Sequence, residues 1–232
     1  MTDTTEPMSR PIPGPAPEPP LPEPAARGPP VLGPVPVRRR SGAEPLHLDG
    51  VAQGHLLGFW RWAFSGLVGN TMRGALAEYI VALALGAADG TRVDWDSVDI
   101  RLPGGPHVEV KSAAYLQEWA QAKPSAISFS IAAAEGWDAT TGAVDPARLR
   151  RADVYVFCLL HHGDKGTLDP LDLAQWTFYV LPTRLLDEHR PHQRTIGLAS
   201  LLRLGPARTG FTGLRAAVLG AGGHCGSGPS PR

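Results

Sequence analysis

Cysteine is nearly absent from this chain: Cys158 and Cys225 are its only two. A pair so distant in sequence supplies neither a disulfide framework nor a zinc-ligand cluster, and a reducing cytoplasm is the expected home. Long apolar runs are lacking as well. The longest candidate, Tyr79 to Leu85, stops well short of the roughly 20 residues that a membrane-spanning helix needs. The start, Met-Thr-Asp-Thr-Thr-Glu, runs into proline without a basic stretch or an apolar core, so no secretory signal is expected. Charge of one sign is missing too. With 22 Lys and Arg against 22 Asp and Glu, the formal net charge is zero, and no broad phosphate-binding surface follows from composition. A Gly-x-Ser-x-Gly elbow is also absent, which removes the simplest case for a serine hydrolase.

Proline is abundant, and residues 1–45 hold more than half of the chain's 24. That segment has almost nothing large and apolar to bury and is expected to be a disordered or polyproline II tail, a recruiting surface for partner proteins. Arg38, Arg39 and Arg40 close it with a positive cluster that could touch nucleic acid, with a solvated segment the plainer reading. Residues 220–232 form a Gly-rich tail, also expected to be disordered. Its glycines imitate a phosphate loop, but no strand leads in and no helix follows. Residues 46–219 are left as one α/β domain, and a hydrophobic content of 43% suits a packed core.

Within that domain, Leu56, Phe59, Trp60 and Ala63 recur at helical spacing over His55 to Phe64, as a core-packed helix would. Asn70 and Thr71 offer an N-cap for a helix over Met72 to Leu85. Its expected apolar stripe is Leu76, Tyr79, Ile80 and Leu83, with Glu78 at the edge and Gly86 as terminator. Strands are expected at Arg92 to Trp95, Val98 to Leu102, His107 to Ser112 and Ala126 to Ala132. Between the last two, Ala114 to Ala122 reads as helical, and residues 135–149 as a polar loop with a short helix. The continuous apolar runs Val154 to Leu160 and Trp176 to Leu181 read as strands, the former central and covered on both faces. Thr183 to His189 and Leu198 to Leu204 read as closing helices.

The chemistry is concentrated in one hairpin. Strand residues two apart share a face. Burying Val98, Ile100 and Leu102 together with Val108 and Val110 pairs Ile100 with Val108 and Val98 with Val110. A three-residue loop, Pro103-Gly104-Gly105, remains, with glycine available for a left-handed position. The same register sets Asp99 across from Glu109 with Lys111 alongside. Directly opposed carboxylates repel unless a cation offsets them, and hard oxygen ligands completed by water suit Mg²⁺ or Mn²⁺.

Asp99, the nine-residue gap, and Glu109-Val110-Lys111 on the next strand resemble the signature of the PD-(D/E)XK nuclease superfamily, with Val98 where proline often precedes the aspartate. The order helix with glutamate, strand with aspartate, strand with Glu-x-Lys, helix, apolar strand is similar to that superfamily over about residues 70 to 160. The stretches Glu-Val-Lys-Ser-Ala-Ala-Tyr-Leu-Gln and Trp-Thr-Phe-Tyr-Val-Leu-Pro-Thr resemble a group of bacterial proteins of this type with no assigned role. The resemblance implies a restriction-endonuclease-like mixed β-sheet core flanked by helices. It also implies a Mg²⁺-dependent nuclease acting on nucleic acid, with DNA the expected substrate. Asp99 and Glu109 would hold the metal with the Val110 carbonyl, Lys111 would place or activate the attacking water, and Glu78 would add an outer or second-metal contact. The alternative is a non-catalytic scaffold or binding subunit of the same fold that acts with partner proteins; a homodimer is left open.

Other polar residues rank lower. Gln117 and Gln121, one helical turn apart if helical, are weak candidates for nucleic-acid contacts, with a solvent-facing pair the plainer reading. His161-His162 lacks carboxylate or cysteine neighbours at ligand spacing. Asp153, Asp164, Asp169 and Asp172 read as turn and capping residues, and Ser128 and Ser130 as part of a half-buried strand.

Overall fold

The structure, a computed structural model, describes residues 35–94, 96–137 and 144–223. The expected tails fall outside these residues over 1–34 and 224–232. Two short strands, β1 (Pro45–Leu48) and β2 (Val51–His55), form an antiparallel hairpin that leads into helix α1 (Leu56–Phe64). The aromatic spacing of α1 makes a helix, as expected, but it does not enter a core. None of its residues is buried, and Trp62 is 85% exposed. Helix α2 follows at Asn70–Leu85, entered from Gly69 rather than from a side-chain cap, and it ends on the left-handed Gly86.

The buried stripe of α2 is Ala77, Ile80, Val81 and Leu85, whereas Tyr79 and Leu83 are exposed. The face is therefore rotated from the one expected. Small and β-branched residues let the helix lie close on the sheet, and the bulkier Tyr79 and Leu83 stay outside.

Strand β3 is only Ile100–Arg101, and β4 is His107–Ala114. Their antiparallel register, Ile100 with Val108 and Arg101 with His107, is the one alternation predicts, and Gly104 takes the left-handed position in the loop. The strand expected at Arg92 to Trp95 does not form over 92–94, and Trp95 lies outside the described residues. Nor does a helix follow β4. The strand continues to Ala114, and the chain then bends through residues 115–127 to β5 (Ser128–Ser130).

The polar stretch 135–149 contributes strands β6 (Ala134–Trp137) and β7 (Val144–Leu149), paired antiparallel, in place of the expected loop and helix; residues 138–143 lie outside the described set. Strands β8 (Val154–Leu160) and β9 (Trp176–Pro182) and helix α3 (Thr183–His189) stand where the apolar runs put them. Four further elements complete the chain: β10 (Thr195–Gly197), α4 (Leu198–Leu202), β11 (Ala207–Thr209) and α5 (Phe211–Gly222). The last corrects the expected boundary at residue 220, because Gly220 lies inside α5.

The main sheet has five strands in the order β11-β9-β8-β4-β3 and is mixed: β8 runs parallel to β4 and antiparallel to β9. All seven residues of β8 are buried. Val154, Val156, Cys158 and Leu160 face a cluster closed by α2 and α5, and Tyr155, Phe157 and Leu159 face a second cluster closed by Phe129, Ile131, Leu186, Ile196 and Leu201. Burying a side chain of this size stabilises by about 1.5–3 kcal/mol. The two layers on β8 are therefore the main favourable term, and they hold β4 rigidly at its flank. Among the described residues, no helix is long and apolar enough to cross a membrane.

Candidate active site

The site lies where the β3–β4 ladder stops. Expected to extend through Val98 and Asp99, the pairing ends at Ile100 because a side chain replaces the backbone: the Asp99 carboxylate accepts the Val110 amide hydrogen at 2.7 Å. Val98 then packs into the opposite cluster from Ile100, which corrects the expectation that the two share a face. The N–H and C=O of one strand residue project to the same side. Val110 therefore directs its carbonyl toward the edge that β3 leaves open.

Glu109 and Lys111 share one face of β4, and the Lys111 ammonium meets the Glu109 carboxylate at 2.5 Å. Burial works against the charge on Lys111, but the negative charges of Glu109 and Asp99 outweigh it and raise its pKa. Lys111 is thus a firm cation at neutral pH. Asp99 behaves in the opposite way. Desolvation first, and then the charge of Glu109, push its carboxyl up to about 7, against the lowering effects of Lys111 and the Val110 hydrogen bond. Across the ladder from Glu109, Tyr155 on β8 is buried, and burial raises its phenol pKa.

Glu78 approaches from α2, but its carboxylate is held by Arg92, Nε to Oε2 at 2.5 Å and Nη2 to Oε1 at 3.1 Å. Arg92 also pairs with Asp94, and its pKa is raised chiefly by the hydrogen bond to Glu78, with a smaller contribution from Asp99. This arginine was missed in the sequence, where nothing local marks it as the partner of a helix 14 residues earlier. Glu78, Arg92 and Asp99 line one cavity of about 330 Å³ with Tyr79, Val98 and Arg101. Among the described residues, no group of three or more His, Cys, Asp or Glu side chains stands close enough to hold a metal ion.

The two glutamines have internal partners. Gln117 is 8% exposed, so it is not the solvent-facing residue expected, and its amide donates to the Ala114 carbonyl and Ser125 hydroxyl. The Gln121 side chain accepts from the Gln117 backbone N–H and donates to the Tyr115 carbonyl and the Ser125 hydroxyl. Both amides brace the loop after β4. Asp153 joins the strands, accepting from the His107 amide at 2.8 Å. His161 and His162 bond to Thr177 and Thr167. Asp164, Asp169 and Asp172 accept from nearby backbone amides as turn and cap residues do.

Comparison with protein-family models, with curated proteins and with solved structures finds no match.

Proposed function

We propose that this chain is a Mg²⁺- or Mn²⁺-dependent nuclease on a restriction-endonuclease-like fold, hydrolysing phosphodiester bonds with DNA as the expected substrate. One observation carries the reading: a part-buried carboxylate, Asp99, fixed by the Val110 amide, lies within electrostatic reach of the Glu109–Lys111 ion pair at the open edge of a buried mixed sheet. Burial first, and then the charge of Glu109, raise the Asp99 carboxyl to about 7, and a bound cation would relieve both.

The donor set fits a small hard ion. Mg²⁺ keeps several waters and takes one or two carboxylates rather than a full protein cage. Asp99, Glu109 and the Val110 carbonyl supply such a partial set, and Glu78, tied to Arg92, stays outside it. When bound, the ion would polarise the phosphate and lower the pKa of a water.

The protein groups then divide the remaining work. The Val110 amide orients Asp99, so its second oxygen is presented without reorganisation. Lys111 serves as a charge rather than a base, because its proton is held more firmly than usual. Its ammonium would turn from Glu109 to the attacking water or to a non-bridging phosphate oxygen, where negative charge builds in the transition state. Arg92 pairs with Glu78 in the cavity that Asp99 lines and that Glu109 and Lys111 do not, so Glu78 would add no unpaired carboxylate beside a bound phosphate.

The rival is a non-catalytic scaffold of the same fold, favoured by the closed Lys111–Glu109 pair and by the absence of a three-ligand group among the described residues. Calorimetric titration with Mg²⁺ and Mn²⁺, together with cleavage assays on single-stranded, double-stranded and branched DNA and on RNA, separates the two. Metal binding that Asp99→Asn removes, with chelator-sensitive cleavage, supports the nuclease. No binding and no cleavage on any of these substrates replaces it with the scaffold.

A further inference from the structure

A second polar pocket, of about 300 Å³, opens at the start of α2 and is lined by Asn70, Arg73, Ser112, Gln117, Ser125 and Ser128. Arg73 is 4% exposed. Its Nη1 donates to the Val68 carbonyl at 2.8 Å and, more distantly, to Gln117 Oε1 at 3.4 Å; its Nη2 donates to Asn70 Oδ1 at 2.7 Å. Its Nε is buried and has no hydrogen-bond partner among the described residues. Among the described residues its partners are neutral, and desolvation lowers its pKa. A buried cation of this kind is costly unless a counter-charge reaches it.

The surroundings favour an anion. The pocket sits at the N-terminus of a helix of 16 residues whose first turn has no side-chain cap and no acidic residue. Uncapped amides and the positive end of the helix dipole both attract oxyanions. Three serine hydroxyls add further donors. The Glu118 carboxylate is exposed and lies beside Gly66 and Gly69, the residue that opens α2, and among the described residues it forms no ion pair with Arg73.

We propose that this pocket binds a phosphate-class oxyanion, with the Arg73 guanidinium as its counter-charge and the opening amides of α2 and the serine hydroxyls as further donors. The site is distinct from the Asp99 cluster and does not rest on the hydrolytic reading. It nevertheless shares two elements with that cluster, since Ser112 follows Lys111 on β4 and α2 runs on from Arg73 to Glu78.

The test uses the full chain in chelator, so that metal plays no part, with inorganic phosphate as the probe in calorimetry and thermal melts. Wild type should bind phosphate and melt higher as phosphate is added. Arg73→Met should weaken binding by about tenfold or more. It should also melt at or above the wild-type temperature without phosphate, because an uncompensated charge has gone. Ser112→Asp places a carboxylate in the pocket, and should likewise abolish phosphate binding and raise the phosphate-free melting temperature; it decides the matter if Arg73→Met does not fold. Competition by an oligonucleotide only when it carries a terminal phosphate assigns a monoester. Competition by the hydroxyl-ended strand as well assigns an internal phosphodiester. The proposal is overturned if millimolar phosphate neither binds nor stabilises wild type, or if Ser112→Asp binds phosphate as wild type does.

Discussion

Asp99 and Val110 are joined side chain to backbone at 2.7 Å, at the point where a regular hairpin would have joined the Val110 backbone to that of Val98. That substitution ends the ladder, opens the sheet edge and leaves a carboxylate poised beside Glu109 and Lys111. Replacing Asp99 by asparagine keeps an acceptor for the amide but removes the charge. The variant should fold with the same sheet and lose metal binding. In wild type, Mg²⁺ at 100 times its dissociation constant should stabilise by about 2.7 kcal/mol. Asp99→Asn should show no such gain in chemical denaturation with and without the ion.

The raised carboxyl sets the sign of a pH effect. The folded state holds the Asp99 proton more tightly than the unfolded chain, whose carboxyl titrates near its ordinary value of about 3.9. The stability this proton supplies is fully present below about pH 4. It is lost as pH rises through about 7. Metal-free protein should therefore become less stable between these limits, and Asp99→Asn should flatten that part of the curve. Urea midpoints measured in chelator across the range decide it; a wild-type profile identical to the variant's would show that the folded state does not raise the Asp99 carboxyl.

Lys111→Ala should reduce cleavage by about a hundredfold or more, the loss seen when one donor aimed at transition-state charge is removed. The lysine is part-buried and paired, so its removal also leaves Glu109 and Asp99 without their shared cation. Melting in chelator should fall, and saturating Mg²⁺ should restore it without restoring cleavage. Single-turnover kinetics beside thermal melts measure both.

Two aromatic residues should behave oppositely. Phe157 is fully buried and meets Phe129 edge-on at 5.1 Å, so Phe157→Ala should cost about 3–5 kcal/mol. Trp62, at 85% exposure on α1, should cost no more than about 0.5 kcal/mol when replaced by alanine. Guanidinium unfolding distinguishes them, and a large loss at Trp62 would show that α1 has a covering partner in solution.

How much of this was legible from residues alone depended on the range of the physics involved. Val154 to Leu160 announces a two-sided strand through composition, and Gly104 announces its turn through backbone freedom; both are local properties. The hairpin register was legible for Ile100 and Val108 because alternation is local too. Its failure at Val98 was not, since a side-chain acceptor competing with a carbonyl for the Val110 amide leaves no periodic trace. The helix expected after β4 failed for a similar reason. Gln117 and Gln121 have helical spacing and helix-compatible side chains, but they close a loop by bonding Ala114, Tyr115 and Ser125. The pairing of Glu78 with Arg92 joins a helix to an irregular segment, and only the folded chain brings them together.

Strand β8 has a further consequence, which concerns the chain before it is folded. Its seven residues, Val-Tyr-Val-Phe-Cys-Leu-Leu, carry no charge, proline or glycine, and such a segment associates readily with copies of itself when exposed. Its parallel neighbour β4 comes from 46 residues upstream, since Val108 pairs with Val154, and that loop must close before the contact forms. The antiparallel neighbour β9 follows only after the segment 161–175. During synthesis the strand that later anchors the site therefore emerges with its upstream partner already available and its downstream partner still to come. Refolding yield should fall steeply with protein concentration, and variants that weaken the pairing of β4 with β8 should lower it further.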